Sequence, residues 1–554
     1  MKKSVRLFII TATALVLLFL GTLALRWNSL PWLPGYQPEP PYIPPVGETL
    51  PTATFFSPST STPTVEPDRA WLDPSLPPVL LQELREDSSL LIADVRENAG
   101  TVLTLSDQNP LVYWVLAAAV PFPTVTDNLT LESLQSAWEG GKNPLAPSQP
   151  VLMSQETQDL LAAMWGEPAA GAVEISAPED LAERAWTQRP SLAILPFEAL
   201  EPHWKVLQVD GISPLQKDFQ PGVYGLAMPI SAAGTAPELF EGIKGNRDPD
   251  KLTSVVLTGV TALVRATAWT MEFEGINYPA RDILDILLEA DILHVSNEVP
   301  FLQGCPDPDP GQKSLRFCSD PSYIQLMETI GTDVVELTGD HFGDYGPEAM
   351  LYTLELYRQR GWPYYGGGAD RTEAQQPVLF EHNGNKIAFL GCNAKGGGYA
   401  TAGTGYPGAV ACDFPTMTNQ IRDLVNEGYN PIATFQHFEY YVYQAQPNQI
   451  RDARTLTNAG AVIVSGSQAH QPQGFEIREG AFIHHGLGNL FFDQVYQYPP
   501  HTASAFIDRH IFYNGKHIST ELLTIKFVDY ARARPMTPAE RETLLRSVFT
   551  ASGW

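Results

Sequence analysis

Residues 462–494 read VIVSGSQAHQPQGFEIREGAFIHHGLGNLFFDQ. An apolar strand runs into a Gly/Ser turn and then into a polar loop that carries His470. A second apolar run ends in the Gly-Leu-Gly-Asn turn 486–489. In layered α/β proteins the site lies in the loops beyond the carboxyl ends of the strands. A strand followed by a polar loop with an imidazole at its tip is how metal-dependent hydrolases present ligands. The reading therefore turns on whether other strand ends supply partners for His470.

Working outward, the apolar runs ILHVSN, DVVELTG, KIAFLGCN, PIATFQHF, AVIVSG, FIHHGLGN and LLTIKFV alternate with helical stretches such as PARDILDILLEAD (279–291) and GPEAMLYTLELYRQRG (346–361). Several of these strands end on chemistry-bearing side chains: Asn297 and Glu298, Asp340 and His341, His437 and Glu439, Gln468 and His470, and Asn489 in the closing turn. Glu298, His341, His437 and His470 are the candidate metal ligands. His341, His437, Asp340 and Glu439 are the candidate acid–base groups, and Asn297, Gln468 and Asn489 the candidate substrate contacts. Imidazole and carboxylate donors suit Mn, Zn or Fe, and a bound divalent ion activates water for hydrolysis. Each position has a plainer use. Glu298 can cap a helix or pair with an Arg, Asp340 can close a turn, and His437 can be a satisfied core imidazole. His484 and His485 point to opposite faces of a strand, so at most one faces a site.

The order of these motifs resembles the CapA family, the bacterial poly-γ-glutamate capsule synthesis proteins. The residues that carry the resemblance are TGVTALVRA (258–266), ADILHVSNEVPF (290–301), GTDVVELTGDHFGDYGPEAMLYTLELY (331–357), KIAFLGCN (386–393), FQHFEYY (435–441), NAGAVIVSGSQAHQPQ (458–473) and HHGLGNLFFDQ (484–494). The resemblance implies a metallophosphatase-like α/β sandwich with Glu298, His341, His437 and His470 in its pocket. It also exposes departures. Val260 stands where the family has a metal-bridging Asp, Asp340 where it has Asn, and Gln468 where it has the first of two paired histidines. Neutral Gln and apolar Val cannot hold a second divalent ion, which leaves a one-metal site or a metal-free binding pocket.

Upstream, residues 71–245 alternate short strands with helices and read as a smaller α/β domain. Its helices are well punctuated: Thr130 caps one that stops at Gly140, and 154–166 repeats the design. The runs VPFPTVTDNLTLESLQSAWEGG (120–141) and SLAILPFEALEPHWKVLQVDGISP (191–214) resemble phosphate-type periplasmic substrate-binding proteins. That likeness implies capture of a small solute or a polymer. The second domain spans 251–530, and a final helix occupies 531–554.

Lys2, Lys3 and Arg6 precede the apolar run Leu7–Leu25. A run of that length approaches the ~20 residues needed to span a bilayer. It reads as a single-pass transmembrane anchor (residues 1–26) with the bulk of the chain outside the cell, or else as a cleaved signal. Residues 27–70 are Pro- and Thr-rich and read as a semi-rigid spacer. Cys305/Cys318 and Cys392/Cys412 bracket two loops and suit disulfides in an oxidising compartment, or are free buried thiols. The formal charge of −27 over 554 residues argues against nucleic acid as a partner. The remaining expectation is a membrane-held protein working with polymer-synthesis machinery, either a metal-assisted hydrolase or a non-catalytic scaffold.

Overall fold

The computed structural model describes residues 68–554 except 397, 399 and 495–499. The expected anchor and nearly all of the spacer lie outside the described residues. Among the described residues no helix is long and apolar enough to cross a membrane. The described residues belong to one compact unit.

Within that unit, residues 252–535 build two large sheets, and Gly367–Gly368 pairs with Gly408–Ala409 in a separate two-stranded one. The first has the strand order Tyr364–Tyr365, Val334–Glu336, Ile292–Asn297, Leu252–Thr261, Ser504–Tyr513, Lys516–Phe527, Ala533–Pro535, and Asn489–Phe491 pairs with Leu252–Thr261 on the side. The second runs Val378–His382, Asn385–Asn393, Asn430–Gln436, Ile463–Ser465, Ala481–His484, Phe475–Arg478. The central strands of both are parallel. Parallel strands are covered on both faces, which explains why these segments read as continuous apolar runs rather than alternating ones.

Val255, Leu257, Phe389, Ile432, Ile463, Phe482 and Phe506 form one cluster, so the two sheets pack face to face. Helices Arg265–Glu274 and Gly346–Arg360 cover the outer face of the first sheet through Ala268, Met271, Met350 and Leu354. Helices Phe414–Asn426 and Pro447–Thr457 cover the second through Met417, Ile421, Ala453 and Leu456. The result is a four-layer helix–sheet–sheet–helix sandwich.

Two close approaches depend on glycine. A Cβ on Gly259 would lie 1.9 Å from Gly488 O, and one on Gly466 would lie 1.9 Å from His485 O. These contacts let the 486–489 turn sit directly on the neighbouring strand ends.

The upstream region folds around a sheet that includes Thr101–Leu105, Val112–Pro121, Ala193–Pro196 and Ala227–Gly234. Both expected caps form: Thr130 Oγ1 accepts from Ser133 N at 3.1 Å and Ser154 Oγ from Thr157 N at 3.2 Å. This sheet shares a core with Leu252, Ile511, Tyr513 and Ile518. The cysteines pair as Cys305–Cys318 and Cys392–Cys412, and no described cysteine is free.

Candidate functional site

Parallel strands of the two sheets end on the same side, and their loops line a cleft of about 510 Å³. Glu298 follows Ile292–Asn297 and Asp340–His341 follow Val334–Glu336. Lys395 follows Asn385–Asn393, Glu439 follows Asn430–Gln436, and His470 follows Ile463–Ser465. All six line the cleft, together with Arg265, Phe317, Asp344, Tyr441 and Phe492. Gly339 makes the convergence possible, since a Cβ there would lie 2.9 Å from both Glu298 Cα and Glu298 O.

Glu298 is 1% exposed, and its Oε1 has no hydrogen-bond partner among the described residues. His470 Nε2 lies 3.6 Å from that oxygen. Burial drives the Glu298 pKa upward, and the charges of His470 and His341 offset only part of the rise. The ligand atoms of Glu298, Asp340 and His341 lie within 4.8 Å of one another. A buried carboxylate oxygen with no donor, facing imidazole and a second carboxylate, fits a divalent cation.

His341 Nδ1 lies 2.7 Å from Asp344 Oδ2. That oxygen also accepts from Phe317 N at 2.7 Å, and the Phe317 ring packs 4.9 Å from the imidazole. Burial opposes the charged ring, but the Asp344 hydrogen bond and the carboxylates of Glu298, Asp344 and Asp340 outweigh it and raise the pKa to about 9. His341 is therefore an imidazolium at neutral pH.

Asp340 is tied down on both oxygens. Oδ1 accepts from Gln436 Nε2 at 2.7 Å, and Oδ2 from Lys395 Nζ at 2.6 Å. Burial raises its pKa, but His341, Lys395 and Gln436 outweigh that and lower it overall. Lys395 Nζ also donates to Glu439 Oε1 at 2.7 Å. Arg265 is held by Asp493, lies between the Phe317 and Phe492 rings at 5.1 and 5.0 Å, and takes a positive φ of 45° at the start of its helix. A non-glycine residue held in that region stores strain of the kind found at functional sites.

Other expected site residues face elsewhere. His437 does not line the cleft. Its Nε2 lies 3.7 Å from Asp452 Oδ2, its ring packs on Phe435, and neither nitrogen has a hydrogen-bond partner among the described residues. Burial, helped by nearby His485 and Arg451, lowers its pKa to about 4. The strand end turns this side chain towards the helix Pro447–Thr457, so the ligand and acid–base roles expected of it are not met by this geometry.

Asn297 is a structural tie, donating to Val299 O at 2.7 Å and Tyr357 Oη at 2.8 Å. Gln468 donates to Ser296 Oγ at 2.7 Å, beneath the cleft. Asn489 orients His470, with Oδ1 2.9 Å from Nδ1. These three are buried and do not line the cleft, so they support it rather than contact substrate. Glu439, expected as an acid–base group, pairs with Lys395. His484 and His485 bind Asp508 and Glu476 at 2.6 and 3.2 Å, so neither serves the site. Val260 is fully buried, paired with Ser296 and Asn489.

Lys395, Asp344 and Arg265 were not foreseen as site residues. Arg265 and Asp344 lie inside the motifs TGVTALVRA and DHFGDYG, and Lys395 sits two residues past the strand KIAFLGCN.

A four-layer α/β sandwich whose strand ends gather carboxylates and imidazoles around a cleft is a scaffold for a metal or anion site. Residues 254–494 match the family described as "Bacterial capsule synthesis protein PGA_cap". The match covers 241 of the 554 residues, so the likeness is a property of this domain. The chain is 24% identical over 278 residues to the "Capsule biosynthesis protein CapA" of Bacillus anthracis, covering 49% of this chain and 67% of that one. It is 25% identical over 236 residues to the "PGA biosynthesis protein CapA" of Bacillus subtilis, covering 42% and 60%. Among solved structures, a 5'-nucleotidase precursor from Thermus thermophilus overlaps 55% of this chain and 58% of its own at 12% identity and a TM-score of 0.32, too small an overlap to argue from.

Proposed function

We propose that this chain acts outside the cell, held to the membrane through residues 7–25, in the assembly or export of an anionic polymer such as poly-γ-glutamate. We propose further that its cleft carries out hydrolysis or transfer assisted by one divalent ion (Mn, Zn or Fe). The match of residues 254–494 to the capsule-synthesis family and the names of its relatives support the polymer role, and the apolar run Leu7–Leu25 after Lys2, Lys3 and Arg6 supports the membrane attachment. One observation carries the second: the buried Glu298 carboxylate keeps an oxygen with no donor, opposite His470 and beside Asp340 and His341.

Glu298 and Asp340 would hold the ion, with His470 opposite. When bound, such an ion supplies a Lewis acid for charge that develops on oxygen. The protein supplies the rest. His341, charged and fixed through Nδ1 by Asp344, presents Nε2–H to a leaving group as general acid. The loop closed by Cys305–Cys318 places the Phe317 ring against that imidazolium. The upstream region is proposed to capture a solute or the polymer end.

The test is metal content of the full chain purified without chelator, beside Glu298→Gln. We expect close to one equivalent of transition metal in the wild type and at least a tenfold loss of affinity in the variant. A second reading, a metal-free binding or scaffold protein, is favoured by the absence of a carboxylate at Val260 and of an imidazole at Gln468. Polymer binding that is indifferent to chelator and to Glu298→Gln, with no metal recovered, would establish that reading instead.

A further inference from the structure

We propose that Lys395 is a built-in cation occupying a second cation position of the cleft, so that the site accepts one divalent ion rather than two. The proposal rests on the metal reading above. Two carboxylate oxygens from different strand-end loops, Asp340 Oδ2 and Glu439 Oε1, converge on one point, and the Lys395 ammonium fills it at 2.6 and 2.7 Å. The side chains of Lys395 and Asp340 are each only 7% exposed, yet both line the cleft. Asp340 also belongs to the cluster with Glu298 and His341, so the ammonium and a metal there would share a carboxylate.

Oxygen-rich points of this kind are where Mn²⁺ binds. An ammonium supplies the charge but offers no open coordination position and no Lewis acidity. Among the described residues Val260 and Gln468 bring neither a carboxylate nor an imidazole to the site, while Lys395 brings a positive charge to it. The Asp340 carboxylate neutralises the ammonium, which an amide at that position could not do. Lys395 is thus a positioning residue that sets metal stoichiometry.

The experiment is Mn²⁺ titration of the full chain by calorimetry, with electron paramagnetic resonance to detect spin-coupled pairs. The wild type should bind one ion with no coupled signal. Lys395→Ala should bind two and show coupling. Lys395→Ala combined with Glu439→Gln should return to one, because the emptied point has lost a ligand. Two ions on the wild type would overturn the proposal without any variant. One ion on both the wild type and Lys395→Ala would overturn it while leaving the metal site of Glu298 standing. No ion on the wild type but one on Lys395→Ala would overturn the proposal together with the metal reading of the native protein. No ion on either would overturn both.

Discussion

His341 shows how one neighbour sets a residue's chemistry. An imidazole buried to this extent would ordinarily lose its proton. Asp344, three residues on, reverses this by bonding Nδ1, and the ring is held charged up to a pKa of about 9. We expect Asp344→Asn to lower that pKa towards the usual histidine range, read directly by NMR titration of the His341 ring. A His341 titration unmoved by the variant would remove Asp344 from the site. The carboxylate–imidazole pairing was not foreseen, although both residues sit in DHFGD. Strand-end position made His341 a candidate, but only the short helical turn after Gly339 brings residues 341 and 344 to one face. The same limit explains His437. Its place at the end of an apolar strand resembles that of His470, yet one faces Asp452 and the other Glu298. Loop path, which carries no periodic signal, decides between them.

At the scale of elements, punctuation was legible and loop contacts were not. The helix over 346–361 forms as Gly346–Arg360 and stops at Gly361 in the left-handed region, as its sequence suggests. The stretch 279–291 reads as one helix, but only Leu284–Leu288 is α-helical, after a 3₁₀ turn at Tyr278–Ala280. The last helix, expected over 531–554, forms as Pro538–Ala551, and Thr537 starts it through a capping box with Glu540. Gly339 bears on the site itself. A methyl group there would press on the Glu298 backbone, and we expect Gly339→Ala to cost roughly 1–3 kcal/mol, measured by denaturant unfolding, and to weaken metal binding alongside. The loop closed by Cys305–Cys318 supplies Phe317 to the cleft wall. Replacing both cysteines with Ala should lower stability by about 3 kcal/mol and raise the exchange rate of amides across 305–318, with Cys392–Cys412 left intact.

Across the whole molecule, buried histidines set the pH range of stability. His437 and His517 each have a pKa lowered to about 4, chiefly by burial. The unfolded chain binds protons at these positions more readily, so stability falls as pH drops from about 6.5 to about 4, by roughly 3 kcal/mol for each histidine when complete. His341 acts in the opposite sense: its raised pKa contributes stability that is full below about 6.5 and lost as pH rises through about 9. The metal-free protein should therefore be most stable near neutral pH, and His517→Phe should flatten the acid limb of a plot of melting temperature against pH. A melting temperature constant from pH 7 to pH 4 would contradict this.

Sequence alone determined the α/β layering, the family of the 254–494 domain and the strand ends that carry the chemistry. Continuous apolar runs and turn residues are local signals of burial and chain reversal, and motif order survives without coordinates. Tertiary structure decided which side chains meet. Lys395 between Asp340 and Glu439, Asp344 under His341, and His437 turned towards Asp452 all depend on contacts between loops from different strands. Those contacts follow from how the two sheets pack, and no local pattern in the chain encodes them.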